Sequence, residues 1–398
     1  MTRTTLPAWT YNSAEFFALE KESIFMRTWQ LAGHISELLR PGDYLRFDLL
    51  GESAIVVRDN EGQLRAFHNV CRHRAFRLLG NNAGHCDGLI RCKYHGFTYD
   101  LKGRLVGVPG EKDFEGIDKR ELGLAPIELD VFLGFIFIRF AKDNGPRIAE
   151  QFAPFRDALA LYRTEEMVPY GELFTAPIRA DWKVAVDNNT EALHVPIGHP
   201  GLQRIYGTTY SFELQPLGVS RGGGRLRDET SSNWSERHYQ RLLPDVAHLP
   251  AERKRSWLYY SMFPSMNFDV YPDMFDYYQF LPVAPGRAMS RSRTFVLPDA
   301  RPEMRAARWL NMRINRQVGL EDVELVEGVQ LGLGSRSYQV GPLSRREARV
   351  GQFQDLIRKR IPVAACLEAP DPGTVAIRNK EMALEMALGG ESLPLAIV

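Results

Sequence analysis

The sequence predicts an α+β protein of two domains: a small β domain, then an antiparallel sheet with helices against one face. Three observations predict it. Short strand patterns broken by glycines crowd between about residues 40 and 145, a second run of strand patterns fills 257–296, and a helical pattern runs from Pro302 to about Leu333. At 398 residues the chain exceeds what one hydrophobic core usually serves. A 44% hydrophobic, 25% charged composition is that of an ordinary globular protein, and a net charge of +1 offers nothing to nucleic acid or an anionic membrane. The longest apolar runs, such as Val131 to Ile138, fall far short of a membrane span, and the first residues lack the apolar core of a secretory signal. Three of the four cysteines crowd between 71 and 92, which suits metal-bound thiolates in a reducing cytoplasm better than disulfides.

Taken in order, residues 1–39 read as an N-terminal helical segment packing on the second domain. Asn12 is its expected N-cap with Glu15 at N3, and Phe16, Phe17, Ile24 and Trp29 form its buried stripe. Residues 40–145 form the β domain. Its strands are expected at Tyr44–Leu50, Ser53–Arg58, Leu64–Phe67, Leu89–Cys92, Thr98–Asp100 and Val131–Phe140, with Asn60-Glu61-Gly62 as a hairpin break. Asp143-Asn-Gly-Pro146 marks the boundary, and 146–398 is the second domain. There Arg221-Gly-Gly-Gly-Arg225 reads as a loop, and without a following Lys-Ser or Lys-Thr it is no phosphate cradle. Trp257–Phe263, Met266–Tyr271, Phe275–Val283 and Met289–Val296 read as antiparallel strands. Helices are expected at Pro302–Leu333, Glu347–Arg360 and Lys380–Leu388.

Two mixed pairs stand out in the β domain: Cys71-Arg-His73 and Cys92-Lys-Tyr-His95, 18 residues apart. Each offers one thiolate and one imidazole, the ligand set of a [2Fe–2S] centre in which two His replace two Cys on one iron. A structural zinc is the alternative, though zinc sites more often pair Cys with Cys and His with His. Cys86 reads as a small buried hydrophobe, and Cys366 is assigned no chemistry.

A second constellation, Glu191-Ala-Leu-His194-Val-Pro-Ile-Gly-His199, follows about a hundred residues later. Two imidazoles and one carboxylate on one face of Fe(II) leave positions open for O₂ and substrate. The best third ligand is Asp322, on a helix that would turn Asp322, Val326 and Val329 inward and Glu321 and Glu324 away. Seen alone, two His near a turn are ordinary packing or surface residues, and Glu191 is an exposed helix charge.

At Cys71-Arg-His73-Arg and Cys92-Lys-Tyr-His95-Gly-Phe-Thr the chain resembles the Rieske cluster domain. At Asp181-Trp-Lys-Val-Ala-Val-Asp-Asn188-Asn-Thr-Glu191-Ala-Leu-His194-Val-Pro-Ile-Gly-His199-Pro it resembles the catalytic (alpha) subunit of Rieske non-haem iron, aromatic ring-hydroxylating oxygenases. The spacing of Glu327 and Gln330 after Asp322 is similar too. Lys93, Phe97 and Leu193 depart from the family's usual residues without touching a ligand. The resemblance implies a Rieske β domain followed by a helix-grip catalytic domain. It implies that Cys71 and Cys92 hold one cluster iron, His73 and His95 the other, and that His194, His199 and Asp322 hold the mononuclear iron. Glu191 would bridge His194 to His95 of a neighbouring subunit in a homotrimer.

The expected reaction is incorporation of O₂, as a mono- or dioxygenase. A separate reductase or ferredoxin would supply electrons from NAD(P)H, since no nicotinamide or flavin fingerprint appears in the sequence. An aromatic ring compound is the leading substrate, as in aromatic hydrocarbon catabolism. The alternative is demethylation or hydroxylation of a quaternary ammonium compound. The Asn188-x-x-Glu191-x-x-His194 spacing resembles the choline, betaine and carnitine branch, and Trp257, Tyr259, Tyr260, Tyr277 and Tyr278 could supply a cation cage. Leu202, Tyr206 and Met262, with Ile205, Met266 and Phe268, are candidates for the substrate pocket or for plain core. A reading of another class is an iron–sulfur electron carrier without catalytic iron.

Overall fold

The computed structural model describes residues 3–389. They form two compact units, one of residues 26–150 with 165–168, the other of 3–25, 151–164 and 169–389.

The first unit is built from strands β1 (Gln30–His34), β2 (Asp43–Leu49), β3 (Glu52–Arg58), β4 (Leu64–His68), β5 (Ala83–His85), β6 (Leu89–Arg91), β7 (Thr98–Asp100), β8 (Leu105–Gly107), β9 (Glu128–Phe132) and β10 (Phe135–Arg139). They make three small sheets, ordered β1-β10-β9, β4-β3-β2-β5 and β6-β7-β8. The expected single strand Val131–Phe140 is instead the β9–β10 hairpin. Leu133 and Gly134 both take positive φ (49° and 83°), as a two-residue turn matching strand twist requires. The N-terminal segment expected over 1–39 divides near residue 25, because β1 pairs with β10 and Trp29 donates its indole N–H to Pro146 O (2.9 Å). Trp29 therefore belongs to the β unit's core and not to a helical stripe. Ile55, Val57, Phe67, Ile90, Phe97, Tyr99 and Leu105 pack around Cys71 and Cys92. Each such apolar side chain contributes roughly 1.5–3 kcal/mol by leaving water.

The second unit holds helices α1 (Trp9–Asn12), α2 (Ala14–Glu20), α3 (Ile148–Gln151), which starts just before it, α4 (Arg156–Ala160), α5 (Trp182–Asn189), α6 (Val195–Gly198), α7 (Pro200–Tyr206), α8 (Trp234–Leu242), α9 (Pro302–Gly332), α10 (Ala348–Arg360) and α11 (Val375–Gly389). Its sheet comprises β11 (Val168–Ile178), β12 (Ser211–Leu214), β13 (Val219–Arg225), β14 (Ser256–Met262), β15 (Met266–Val270), β16 (Phe275–Ala284) and β17 (Arg287–Val296). The order is β11-β17-β16-β15-β14-β13-β12, with β12 to β17 an antiparallel meander. The Gly-rich segment expected as a loop is strand β13. A Cβ on Gly223 (φ 131°) would stand 2.2 Å from Trp257 O, and one on Gly222 would strike Tyr210 Oη and Arg349 Nη1 at 2.4 and 2.5 Å. Those glycines are bare strand, kept clear for neighbours.

Helix α9 buries Met304, Ala307, Leu310, Asn311 and Ile314, the i, i+3, i+4 stripe of its first half. Ala307, Leu310 and Ile314 meet Leu202, Ile205 and Tyr206 of α7 and Trp257 of β14 in one core. Further along, Gln330 Oε1 accepts from Asp181 N–H (2.8 Å) and Glu327 accepts from Arg179 (3.1 Å). The Glu–Gln spacing seen in the sequence thus clips the end of α9 to the start of α5.

The N-terminus is stitched to the far end of the chain. Thr5 and Ala8 donate backbone N–H to Gly341 O and Gln339 O (both 2.9 Å), and Leu6 N–H reaches the buried Gln354 Oε1 (2.9 Å). The N-cap of α2 is Ser13, one residue after the expected Asn12. Its Oγ accepts from Phe16 N–H (3.2 Å), while Glu15 accepts from Gly373 and Val375 N–H ahead of α11. Phe16 and Ile24 are buried as expected; Phe17 is half-buried.

Glu20, from α2, completes a wholly buried ion triad: Lys183 Nζ lies 2.5 Å from Glu20 Oε1 and 2.7 Å from Asp181 Oδ1. Lys183→Met leaves two buried carboxylates without their cation, so it costs about 3–5 kcal/mol. Urea denaturation of the purified protein measures this, and an unchanged midpoint would remove the triad as an anchor.

Candidate functional site

The β4–β5 connection and the β6–β7 hairpin close in the same way. Cys71 N–H donates to Phe76 O (2.8 Å) and Ala75 N–H to Cys71 O (3.1 Å); Cys92 N–H donates to Phe97 O (2.8 Å) and Gly96 N–H to Cys92 O (3.0 Å). The fifth residue of each loop is left-handed, Gly96 at φ 75° and Ala75 at φ 55°. Ala75 bears a cost of roughly 1–2 kcal/mol that glycine would not. The loops turn their thiols inward, with both Cys buried, and leave their imidazoles half-buried. The rings of His73 and His95 are 4.7 Å apart, and His73 stacks on Phe97 at 4.5 Å. Arg72 N–H donates to Tyr99 Oη (3.0 Å), so the Tyr99 hydroxyl is free to donate to Cys71 Sγ (3.3 Å). Burial, then the hydrogen bond to Cys71, raises the Tyr99 hydroxyl.

Two inward thiols, two outward imidazoles and a buried His73 Nδ1 with no partner among the described residues fit the ligand set of a [2Fe–2S] cluster that Cys71, Cys92, His73 and His95 would hold. Cys86 stays apart, a buried thiol raised by desolvation, and His85 pairs with Asp43 (2.8 Å).

In the second unit α5 ends at Asn189, and His194 and His199 flank the four-residue turn α6. Ile197 and Gly198 N–H both donate to His194 O (3.0 and 2.7 Å), which folds the two ring-bearing residues back on one another. Their rings stand 4.9 Å apart. Gly198 lets this turn approach α9, since a Cβ there would meet Leu325 Cδ1 at 2.9 Å. His194, His199 and Asp322 bring one ligand atom each within 4.8 Å of one another. Asp322 Oδ1 is 2.9 Å from His199 Nε2 and 3.8 Å from His194 Nε2. Both imidazoles therefore present Nε2 to the same carboxylate.

Each Nδ1–H is held from behind. His194 Nδ1 donates to Glu191 Oε1, whose other oxygen accepts from Leu193 and His194 N–H. His199 Nδ1 donates to Glu321 Oε2 (2.8 Å). Glu321 does not point away as expected: Glu321 and Asp322, about 100° apart on the helix, straddle the His199 ring. Val326 is buried as expected, while Val329 is exposed. Asn188, named only as spacing, donates Nδ2–H to Asp322 Oδ1 (2.6 Å). Burial disfavours charge on His199, but its bonds to Asp322 and Glu321 outweigh that and raise its pKa. A half-buried site of two oriented imidazoles and one carboxylate is a donor set for Fe(II).

The pocket candidates separate by strand parity. Tyr206, at the end of α7, is hydrogen-bonded to Tyr259 Oη, and Leu202 and Ile205 are core beside it. Met262, Met266 and Phe268 share the opposite face of the sheet: Met262 pairs with Met266 and Tyr260 with Phe268, and Phe155 and Phe152 stack against Tyr260 and Phe268 there. Met262 is thus turned away from Tyr259. The five aromatics divide likewise. Tyr260 and Tyr277 face that far side and Trp257 is locked into core by Tyr239 (3.0 Å), so Tyr259 and Tyr278 remain toward the triad. Tyr278 Oη accepts from Asn189 Nδ2–H (2.6 Å).

Comparison with known proteins matches residues 28–123 to the Rieske [2Fe-2S] domain and 165–362 to the ring hydroxylating alpha subunit catalytic domain. The carnitine monooxygenase oxygenase subunit of Acinetobacter pittii is 33% identical over 50% of this chain and 53% of its own length. The glycine betaine monooxygenase oxygenase subunit of Chromohalobacter salexigens is 36% identical over 50% and 44%. The chain spans about half the length of these relatives. Chloroplastic choline monooxygenase of Spinacia oleracea is 27% identical over 85% of this chain and 73% of its own. Among solved structures, the quaternary ammonium Rieske monooxygenase CntA in complex with L-carnitine superposes with a TM-score of 0.75 at 25% identity, covering 90% of this chain and 96% of that one. Naphthalene 1,2-dioxygenase from Rhodococcus sp. shares the fold, with a TM-score of 0.75 at 20% identity over 89% and 94%. Among the described residues no helix is long and apolar enough to cross a membrane.

Two outcomes follow from this geometry. Glu321→Gln loosens the His199 ring and lowers iron affinity about 10–100-fold; retention of mononuclear iron during chelator dialysis reads it, and wild-type retention would leave Glu321 without that role. Tyr99→Phe removes one hydrogen bond from Cys71 and lowers the cluster's reduction potential by roughly 40–60 mV, the equivalent of about 1–1.5 kcal/mol for one electron. Spectropotentiometry checks this, and an unmoved potential counts against the bond.

Proposed function

The chain belongs to the ring hydroxylating alpha-subunit family, with a Rieske [2Fe-2S] domain ahead of the catalytic domain, and from that membership we propose that it is the oxygenase component of a Rieske monooxygenase acting on a quaternary ammonium compound. The expectation of an aromatic ring substrate gives way to its alternative. Relatives named for carnitine, glycine betaine and choline support the alternative, whereas the likeness to naphthalene dioxygenase is one of fold.

The observation that carries the catalytic reading is the meeting of His194, His199 and Asp322 within 4.8 Å. An electron carrier has no use for it. In this reading the triad holds Fe(II), Cys71 and Cys92 hold one cluster iron, and His73 and His95 hold the other. When bound, the cluster supplies single electrons and the ferrous iron a place for O₂ to be reduced. The chain's own residues do the positioning. Glu191 and Glu321 accept from each Nδ1–H and so turn each Nε2 toward Asp322, and Asn188 fixes the Asp322 carboxylate. Buried Tyr206 and half-buried Tyr259, joined through their hydroxyls, wall off water on the sheet side. Electrons would come from NAD(P)H through a reductase or ferredoxin in the cytoplasm. In a homotrimer, Glu191 would link His194 to His95 of a neighbouring subunit.

The test is oxygen uptake by the reconstituted enzyme with a reductase, over carnitine, glycine betaine and choline against a panel of aromatic acids and hydrocarbons. Substrate-dependent uptake with only the aromatics would overturn the quaternary ammonium reading. Metal analysis tests the rest: about three irons per chain in the wild type. His199→Ala is expected to lose one iron and all product while keeping the visible cluster spectrum. Loss of the cluster instead would count against the assignment.

A further inference from the structure

The sheet face that carries Tyr259 and Tyr278 also carries a buried carboxyl, and a buried guanidinium packs against that face; among the described residues neither is bonded to an opposite charge. Asp269, on β15, is 93% buried, and its Oδ1 has no hydrogen-bond partner among the described residues. Its Oδ2 accepts a long bond from Tyr271 Oη (3.2 Å), and the Tyr278 hydroxyl also bonds the carboxyl. Directly across the strand pair stands Asp276, a second carboxyl, bonded by Thr294 but with its Oδ1 unpartnered among the described residues. Like charges opposite one another destabilise a sheet unless something positive joins them. Burial, then Asp276, drives the Asp269 carboxyl well above its ordinary range, toward the neutral form; a cation seated beside it would favour the carboxylate.

The positive counterpart is Arg349 on α10, 97% buried. Its guanidinium donates Nε–H to Ser220 Oγ (2.9 Å), Nη1–H to Tyr210 Oη (3.1 Å) and Nη2–H to Ser261 Oγ (2.8 Å). All three are neutral hydroxyls, and Gly222 is bare to admit it. A buried guanidinium shaped for a carboxylate fork and given none is an expensive arrangement.

Register sets the separation. Tyr259 is the partner of Asp269, and Ser261 lies two residues along the same strand on the same face. The two charged groups thus meet the sheet about one diagonal apart, on the order of 7–8 Å between backbones. The negative end adjoins the triad: Tyr278 accepts from Asn189, next to the Asn188 that holds Asp322, and Tyr259 is bonded to Tyr206 on the helix that follows His199.

We propose that Asp269 and Arg349 are the two poles of a zwitterion site: Asp269, with Tyr259 and Tyr278, receives a quaternary ammonium head, and Arg349 receives a carboxylate on the same molecule. Resting on the quaternary ammonium reading, this narrows it to betaine-type substrates over simple cations. It also sets their orientation, N-methyl groups toward the triad and carboxylate toward α10.

The test is calorimetric binding to the metal-loaded enzyme of glycine betaine, of 3,3-dimethylbutanoate (its isostere without the positive nitrogen) and of choline (without the carboxylate). The wild type is expected to bind glycine betaine at least about tenfold more tightly than either; equal affinities overturn the proposal without any variant. Asp269→Asn should weaken glycine betaine about tenfold while sparing 3,3-dimethylbutanoate. Arg349→Gln should weaken both carboxylates while sparing choline. An enzyme that oxidises quaternary ammonium compounds, with affinities unmoved in both variants, sinks this site alone. An enzyme inert toward carnitine, glycine betaine and choline sinks the parent reading with it.

Discussion

An imidazole binds a metal through one nitrogen, and whatever holds the other nitrogen decides which way the ring faces. In this protein both rings of the candidate metal site are held by carboxylates, His194 by Glu191 and His199 by Glu321, and both Nε2 atoms consequently face Asp322. The rest of the second unit serves that constraint. The turn α6 spaces the rings, Gly198 admits the turn against α9, and the Gln330 and Glu327 clips fix α9 against the start of α5. The result is a site assembled from two segments more than a hundred residues apart in the chain.

What could be read in the sequence was whatever is local. Thiolate–imidazole pairs and the two histidines around Pro196 carry their chemistry in a few adjacent residues, and the structure brings each group together. Quantities that depend on a partner were harder. A single inward face on the helix places Glu321 outward, whereas a ring inserted beside α9 engages two adjacent residues, one at each nitrogen. Met262 was grouped with Tyr206 because strand parity is unknowable until the register is set. The turn at Leu133 was hidden because leucine seldom takes positive φ. The glycines of β13 looked like a loop because the side chains that need their emptiness, Tyr210 and Arg349, come from elsewhere.

The two units divide their burdens differently. The β unit surrounds its thiols with apolar side chains and pairs its buried charges, Asp59 with Arg65 (2.9 Å), Arg139 with Glu128 (2.6 Å) and Asp130 with Arg147 (2.8 Å). The second unit carries a buried triad around Lys183, a carboxylate at Asp269 and a guanidinium at Arg349, each unfavourable to remove from water. The first sets one cation between two carboxylates and ties α2 to α5; the other two have no opposite charge bonded to them among the described residues, on the face that carries Tyr259. Stability given up there is consistent with a surface shaped for recognition more than for packing.

The stitching of residues 5–8 to 339–354 has a consequence for how the molecule is made. The β unit, nearly all within residues 26–150, has its strands complete while the ribosome is still translating the second half. The other unit opens and closes the chain: its first strand-like residues wait for Gly341 and Gln354, and Glu20 waits for Lys183. Synthesis from the N-terminus therefore favours a β unit that folds early, within a host whose own core closes only after residue 354 has been made.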